Sequence, residues 1–177
     1  MKQFETDRLI LRDIHLEDAD VVEEFASDYQ LAKTTLNIPH PYPKGSAKEF
    51  LANCIKVQKE GKLKVLAVTL KPTNEFIGMV NISIHKKFLR GELAYWIGKP
   101  FWGNGYATEA AKEMVRIGFD ELMLNRVFAQ SFTMNPGSYR IMEKIGLQHE
   151  GLLQEHVSRD GEFYDITVYG ITEKHYR

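Results

Sequence analysis

Hydrophobic and polar positions along this 177-residue chain alternate between two periods. Near the start, Leu9 and Leu11 alternate with Arg8, Ile10 and Arg12, the period of a short strand. From Glu17 to Ser27, Ala19, Val22, Phe25 and Ala26 recur at helical spacing, with acids placed first to suit the helix dipole. After a proline-rich stretch, Pro39-His40-Pro41-Tyr42-Pro43, the run Ser46-Ala47-Lys48-Glu49 has the form of a capping box. Phe50, Leu51, Cys54, Ile55 and Val57 then give that second helix its apolar face, and Gly61 ends it. Leu63 to Leu70 and Phe76 to Ile84 read as strands around a turn at Lys71-Pro72-Thr73-Asn74, hence an antiparallel hairpin. Glu92 to Gly98 is a further strand. Ala107, Ala110, Ala111, Met114, Val115, Gly118 and Phe119 mark the strongest amphipathic helix in the chain. Arg126 to Thr133 predicts a strand. Pro136 to Ile145 predicts a helix capped by Asn135, with proline in its first turn and Gly146 as its stop. Leu152 to Ser158 and Phe163 to Ile171 flank Arg159-Asp160-Gly161-Glu162, a hairpin signal.

The resulting order is strand, two helices, three strands, helix, strand, helix, two strands. Antiparallel runs mixed with helices predict an α+β fold rather than a doubly wound parallel sheet. The expectation is one domain over residues 1–177, with a mixed, mostly antiparallel sheet of about seven strands and four flanking helices.

Composition narrows the function classes. Apolar residues make up 44% and charged residues 27%, the balance of a folded globular protein. A net charge of −1 gives no whole-protein attraction to nucleic acid, so no direct nucleic-acid partner is expected. Cys54, the single cysteine, excludes an internal disulfide and a multi-cysteine metal site, and the six histidines show no metal-ligand spacing. No metal is expected. No apolar run approaches a membrane span, and the opening Met1 to Arg8 lacks the apolar core of a signal peptide. The expected setting is cytoplasmic, with no membrane partner.

The informative segment is Trp102-Gly103-Asn104-Gly105-Tyr106-Ala107-Thr108-Glu109-Ala110, between a strand and the strongest helix. Glycines let the backbone approach a ligand, and the amides that follow sit unpaired at a helix N-terminus where the dipole favours anions. A pyrophosphate suits such a turn. A Walker loop would end in Gly-Lys-Ser/Thr, but Tyr106-Ala107 follow Gly105. A dinucleotide fingerprint needs a small residue where Thr108 stands, and the flanking strands are not expected to form a β-α-β unit. Alone, the turn is equally well a helix start without a ligand.

Gly103 to Ala107 resembles the pyrophosphate turn of the GNAT acetyltransferases, Arg/Gln-x-x-Gly-x-Gly/Ala, with Trp102 standing in the Arg/Gln place. About 30 residues on, Asn135-Pro136-Gly137-Ser138-Tyr139-Arg140 through Glu143-Lys144-Ile145-Gly146-Leu147 resembles the same superfamily's Asn-x-x-Ser…Glu-Lys-x-Gly-Phe segment. Thr6 to Arg12, Gly91 to Gly98, and Asp160 to Asp165 with Tyr169-Gly170-Ile171 resemble the ribosomal-protein N-terminal acetyltransferase branch. The resemblance implies acetyl-CoA as cosubstrate. Its pyrophosphate would lie on Gly103, Asn104, Gly105, Tyr106, Ala107 and Thr108, and its pantetheine arm beside Asn135 and the amides of Trp96-Ile97-Gly98. Ser138 or Tyr139 would lie near the sulfur and Arg140 at the nucleotide end. Each residue also has a plain structural reading: Asn135 as an N-cap, Ser138 as a first-turn serine, Arg140 and Lys144 as a solvated face.

Acetyl transfer needs a deprotonated amine, a polarised carbonyl and a protonated thiolate. An α-amine with a pKa of about 8 asks only for a modest base. Glu92 is the candidate, with Asp165 and then Glu150 as rivals; its alternative reading is a surface strand carboxylate. Ser138 is the candidate acid, with Tyr139 second. Cys54 reads as core rather than nucleophile. The Pro39–Pro43 loop walls an acceptor cleft or merely connects. The resemblance implies a protein N-terminus as acceptor. A small amine such as a polyamine, aminoglycoside or amino acid, or a non-catalytic acyl-CoA-binding module, is the alternative. A homodimer is expected from the resemblance alone.

Overall fold

The computed structural model describes residues 3–177; Met1 and Lys2, part of the opening segment read above, lie outside the described residues. Eight strands and six α-helices follow in order: β1 (Phe4–Glu5), β2 (Leu9–Arg12), α1 (Ala19–Ala26), α2 (Tyr29–Ala32), α3 (Ser46–Lys59), β3 (Leu63–Leu70), β4 (Phe76–His85), β5 (Arg90–Ile97), α4 (Tyr106–Asp120), β6 (Arg126–Phe132), α5 (Pro136–Lys144), β7 (Gln148–Arg159), β8 (Glu162–Thr172) and α6 (Glu173–Tyr176). The elements beyond those expected are short: two-residue β1 and four-residue α2 and α6. Such segments span too few residues to show a period.

All strands share one sheet in the order β1-β2-β3-β4-β5-β6-β8-β7. Every pairing is antiparallel except β5 with β6, which runs parallel. The strands flanking the glycine turn therefore do form a β-α-β unit, with α4 as its crossover, contrary to expectation. The parallel contact is brief, pairing Arg90 with Arg126, Gly91 with Val127 and Glu92 with Phe128. Beyond that point β5 continues to Ile97 and β6 to Phe132 unpaired with each other. A three-residue ladder inside otherwise antiparallel segments leaves little mark on the sequence.

α4 and α5 cover one face of the sheet, where Leu66, Ile82, Leu93, Met114, Phe119, Val127 and Met142 form the larger core. α1 and α3 cover the other face, burying Val22, Leu51, Cys54, Val65 and Met79. On α3, Ala47, Leu51 and Cys54 fall at i, i+4 and i+7, one side of the helix. Its start corrects the capping-box reading. Gly45 holds the N-cap position with φ 81°, and Ser46 is already helical, its hydroxyl donating to the Pro43 carbonyl at 2.7 Å. The Gly45 amide is satisfied instead by the Glu23 carboxylate of α1 at 2.8 Å. The Asp160-Gly161 hairpin forms as expected, with both residues at positive φ (53° and 81°), as a tight right-twisted hairpin requires.

Candidate active site

Where β5 and β6 part, a cleft of about 400 Å³ opens between the ends of these strands, the start of α4 and the start of α5. Of the residues singled out from the sequence, Trp96, Ile97, Gly103, Gly105, Tyr106, Ala107, Thr108, Asn135 and Ser138 line it. Asn104, Arg140 and Glu92 do not. Leu31 of α2 and Thr34 and Thr35 just after it form the opposite lip, and no residue of the Pro39–Pro43 loop, read as a wall of the acceptor cleft or a plain connector, is among the lining. Lys144 is the charged residue of the lining. It lies one helical turn beyond Arg140, on the same helix face and likewise exposed.

The glycine turn is built as its sequence predicts. Gly103 and Gly105 adopt φ of 78° and 79°, and Gly105 is the N-cap of α4. The first helix bond runs from the Glu109 amide to the Gly105 carbonyl at 3.1 Å. The N–H groups of residues 105 to 108 therefore precede the ladder and face the cleft end as a row of donors at the positive pole of a 15-residue helix. Trp102 braces the turn against β5, its indole N–H donating to the Ile97 carbonyl at 2.6 Å. That bond also shows which side of β5 is open. The Ile97 carbonyl, and with it the Ile97 N–H, faces away from β4, whereas the Gly98 amide is consumed by the Ile77 carbonyl at 2.8 Å. Of the Trp96-Ile97-Gly98 amides, then, Ile97 is the one turned to the cleft, and alternation along the strand directs the Trp96 amide back to β4.

Asn135 performs the cap role, its Oδ1 accepting from the Ser138 amide at 3.3 Å. Its Nδ2 crosses to the Thr34 carbonyl at 3.0 Å, joining α5 to the opposite lip. A second tie holds that lip: Arg159, at the end of β7, donates to the carbonyls of Ala32 (2.8 Å), Thr35 (2.9 Å) and Ile38 (3.5 Å). Ser138 has a partner the sequence reading missed. The Tyr95 hydroxyl donates to the Ser138 carbonyl at 2.9 Å and lies 3.3 Å from its Oγ. Burial pushes the Tyr95 phenol up to about 12, against the pull of its hydrogen bond to Ser138.

The carboxylates separate by environment. Glu92 sits at the fork of β5 and β6, half-buried, on the strand face shared with Trp96, whose indole packs on Phe25 and Phe76. Burial raises its carboxyl above the ordinary range, opposed in part by the charges of His85 and Arg90. Glu150 is held the other way by a two-pronged ion pair with Arg126, whose hydrogen bonds outweigh its burial and lower its pKa. Asp165 accepts the Glu155 amide at 2.8 Å, tying down an irregularity in β7. Cys54 is buried in the α3 core, and desolvation lifts its thiol to about 11, away from nucleophilic use at neutral pH.

Known proteins agree with this architecture. The family model for the acetyltransferase (GNAT) domain matches residues 8–148. The uncharacterized N-acetyltransferase p20 of Bacillus licheniformis is 30% identical over 177 residues, spanning 99% of each chain. A GNAT-family acetyltransferase structure from Bacillus anthracis superposes with a TM-score of 0.88 at 25% identity, covering 98% of this chain and 99% of that one. A ribosomal L7/L12 α-N-protein acetyltransferase solved with coenzyme A shares the fold at a TM-score of 0.88 and 14% identity, covering 97% and 98%. With the glycine turn at the head of α4, the fork of β5 and β6 beside it and a family match across both, this chain is an N-acetyltransferase belonging to the GNAT family.

Proposed function

We propose that the chain transfers the acetyl group of acetyl-CoA directly to the N-terminal α-amine of a protein. The observation that carries the cosubstrate is the row of free amides at the α4 N-terminus, at one end of a cleft whose other wall holds the Tyr95–Ser138 pair. These residues fit the group: the 105–108 amides and Lys144 suit phosphates, and the Ile97 N–H, turned away from β4, suits an amide-bearing arm. When bound, acetyl-CoA supplies the activated thioester. The Ile97 amide orients the acyl end and polarises its oxygen, a preorganised donor rather than a mobile one. Glu92 takes the proton of the attacking amine, directly or through a water, its raised pKa bringing it nearer that of the amine. The Ser138 hydroxyl returns a proton to the departing sulfur.

Support for a protein acceptor comes from the resemblance of Thr6 to Arg12 and Gly91 to Gly98 to the ribosomal-protein N-terminal acetyltransferase branch. A spermidine N-acetyltransferase chimera shares the fold at a TM-score of 0.82 and 20% identity, so fold alone does not choose the acceptor. The test is mass-spectrometric transfer from labelled acetyl-CoA to a panel of ribosomal proteins, peptides and small amines. Label on a protein α-amine is the expected result. Label on small amines alone overturns the acceptor, and binding without transfer to any amine overturns the catalytic roles.

A further inference from the structure

The glycine turn lacks the Arg or Gln that its family pattern places at Trp102, yet a guanidinium reaches the turn from elsewhere. Arg8, at the entry to β2, donates from Nη1 to the Asn104 carbonyl at 2.8 Å across 96 residues of sequence. Its plane lies over the Tyr106 ring at 4.7 Å, and its Nη2 would stand 3.4 Å from a Cβ on Gly105. Glu109, in the first turn of α4, fixes the arginine through Nε at 2.7 Å and accepts from the Arg8 amide at 2.8 Å and the Thr6 hydroxyl.

The Asn104 carbonyl and the Gly105 N–H belong to one peptide plane. In a trans peptide they point in opposite directions, and His40-Pro41 is the sole cis bond among the described residues. Holding the carbonyl outward on Arg8 therefore aims the Gly105 N–H inward. With Gly105 on one side of it, that plane is less restricted than one between two residues that carry side chains. We propose that Arg8 is a positioning residue: by anchoring the Asn104 carbonyl it sets the 104–105 peptide plane so that the Gly105 amide donates to the pyrophosphate of the cosubstrate. The role rests on the acetyl-CoA reading above. It is an orienting role, since the Arg8 charge is already matched by Glu109.

The test is CoA binding by calorimetry to the wild-type chain and to Arg8→Met and Arg8→Lys, with pantetheine, which lacks the pyrophosphate, competing in parallel. Both substitutions leave Thr6 and the residue-8 amide on Glu109, so the attachment of β2 to α4 survives. Both variants are expected to bind CoA about tenfold more weakly, with pantetheine changed less than about twofold. In ¹H–¹⁵N spectra the Gly105 amide should shift on CoA addition in the wild type and stay near its free position in both variants. Thr6→Val, which loosens the anchor without touching the Arg8–Asn104 bond, should bind CoA as wild type does. Lysine restoring full affinity would overturn the proposal, because charge alone would then suffice. Equal weakening of CoA and pantetheine would also overturn it, by showing a general structural role. A wild-type chain that binds no CoA would remove the cosubstrate reading itself, and this inference with it.

Discussion

Two arginines hold the two walls of the cleft, and they do it differently. Arg8 grips the phosphate turn while its charge is matched by Glu109, whose side chain is 16% exposed. Burial opposes the Glu109 charge, but hydrogen bonds from Thr6 and Arg8 prevail and hold its pKa low. Arg159 grips the opposite lip through three carbonyls, and its nearest carboxylate is Asp160 at 3.7 Å, 88% exposed. The turn also continues into a 15-residue helix packed in the core, whereas the lip follows a helix of four residues. The turn is thus charge-neutralised and carried by a long packed helix, whereas the opposite lip is held by two side chains, Arg159 and Asn135. An enzyme whose donor is constant can fix that half while leaving the other open to adjustment.

If this division is right, losses on the acceptor side should leave the cofactor side untouched. The largest effect is expected for Glu92→Gln, a fall in kcat of about 100-fold or more with the KM for acetyl-CoA little changed. Because burial raises the Glu92 pKa, and the base must be ionised to work, the wild-type rate should fall as pH drops through that raised value. A pH–rate profile of Glu92→Gln should lack this acid limb; a retained limb would move the base elsewhere.

Arg159→Ala should raise the acceptor KM roughly tenfold and leave CoA affinity within about twofold. Lysine at this position should recover little, since one ammonium cannot span three carbonyls. Equal losses for both substrates would break the division. Tyr95→Phe should lower kcat by about fivefold, the worth of one hydrogen bond to Ser138. With its phenol pushed up to about 12, Tyr95 stays protonated through the assay range, so an alkaline break near neutrality belongs to another group. Smallest of all, Cys54→Ala should alter turnover less than about twofold while costing about 1 kcal/mol of stability by denaturant titration.

Periodicity found each long element but not every boundary: β7 starts at Gln148, four residues before the Leu152 read from the sequence. Leu63–Leu70 has the bounds read from the sequence, and the amphipathic pattern of α4 began one residue late. The parallel seam was invisible because it is three residues long and its meaning lies in where pairing stops. At the site, local motifs found the turn and the α5 cap, whose geometry depends on neighbours in sequence. Arg8, Tyr95, Thr34 and Arg159 escaped because each meets its partner across at least 43 residues, a distance no local pattern records. Lys144 was read with Arg140 as a solvated face; both are exposed, and of the two only Lys144 borders the cleft.

The outer edge of the sheet is β7, twelve residues long and bordered on one side only. Its register on β8 breaks between His149 and Gly151 and again between Leu153 and Val157, where Glu155 takes φ 46°. Regular pairing is thereby cut into stretches of two or three residues. A strand from another molecule laid along this edge would lose its match after each stretch, so β7 is a poor template for polymerisation through backbone bonds despite its length.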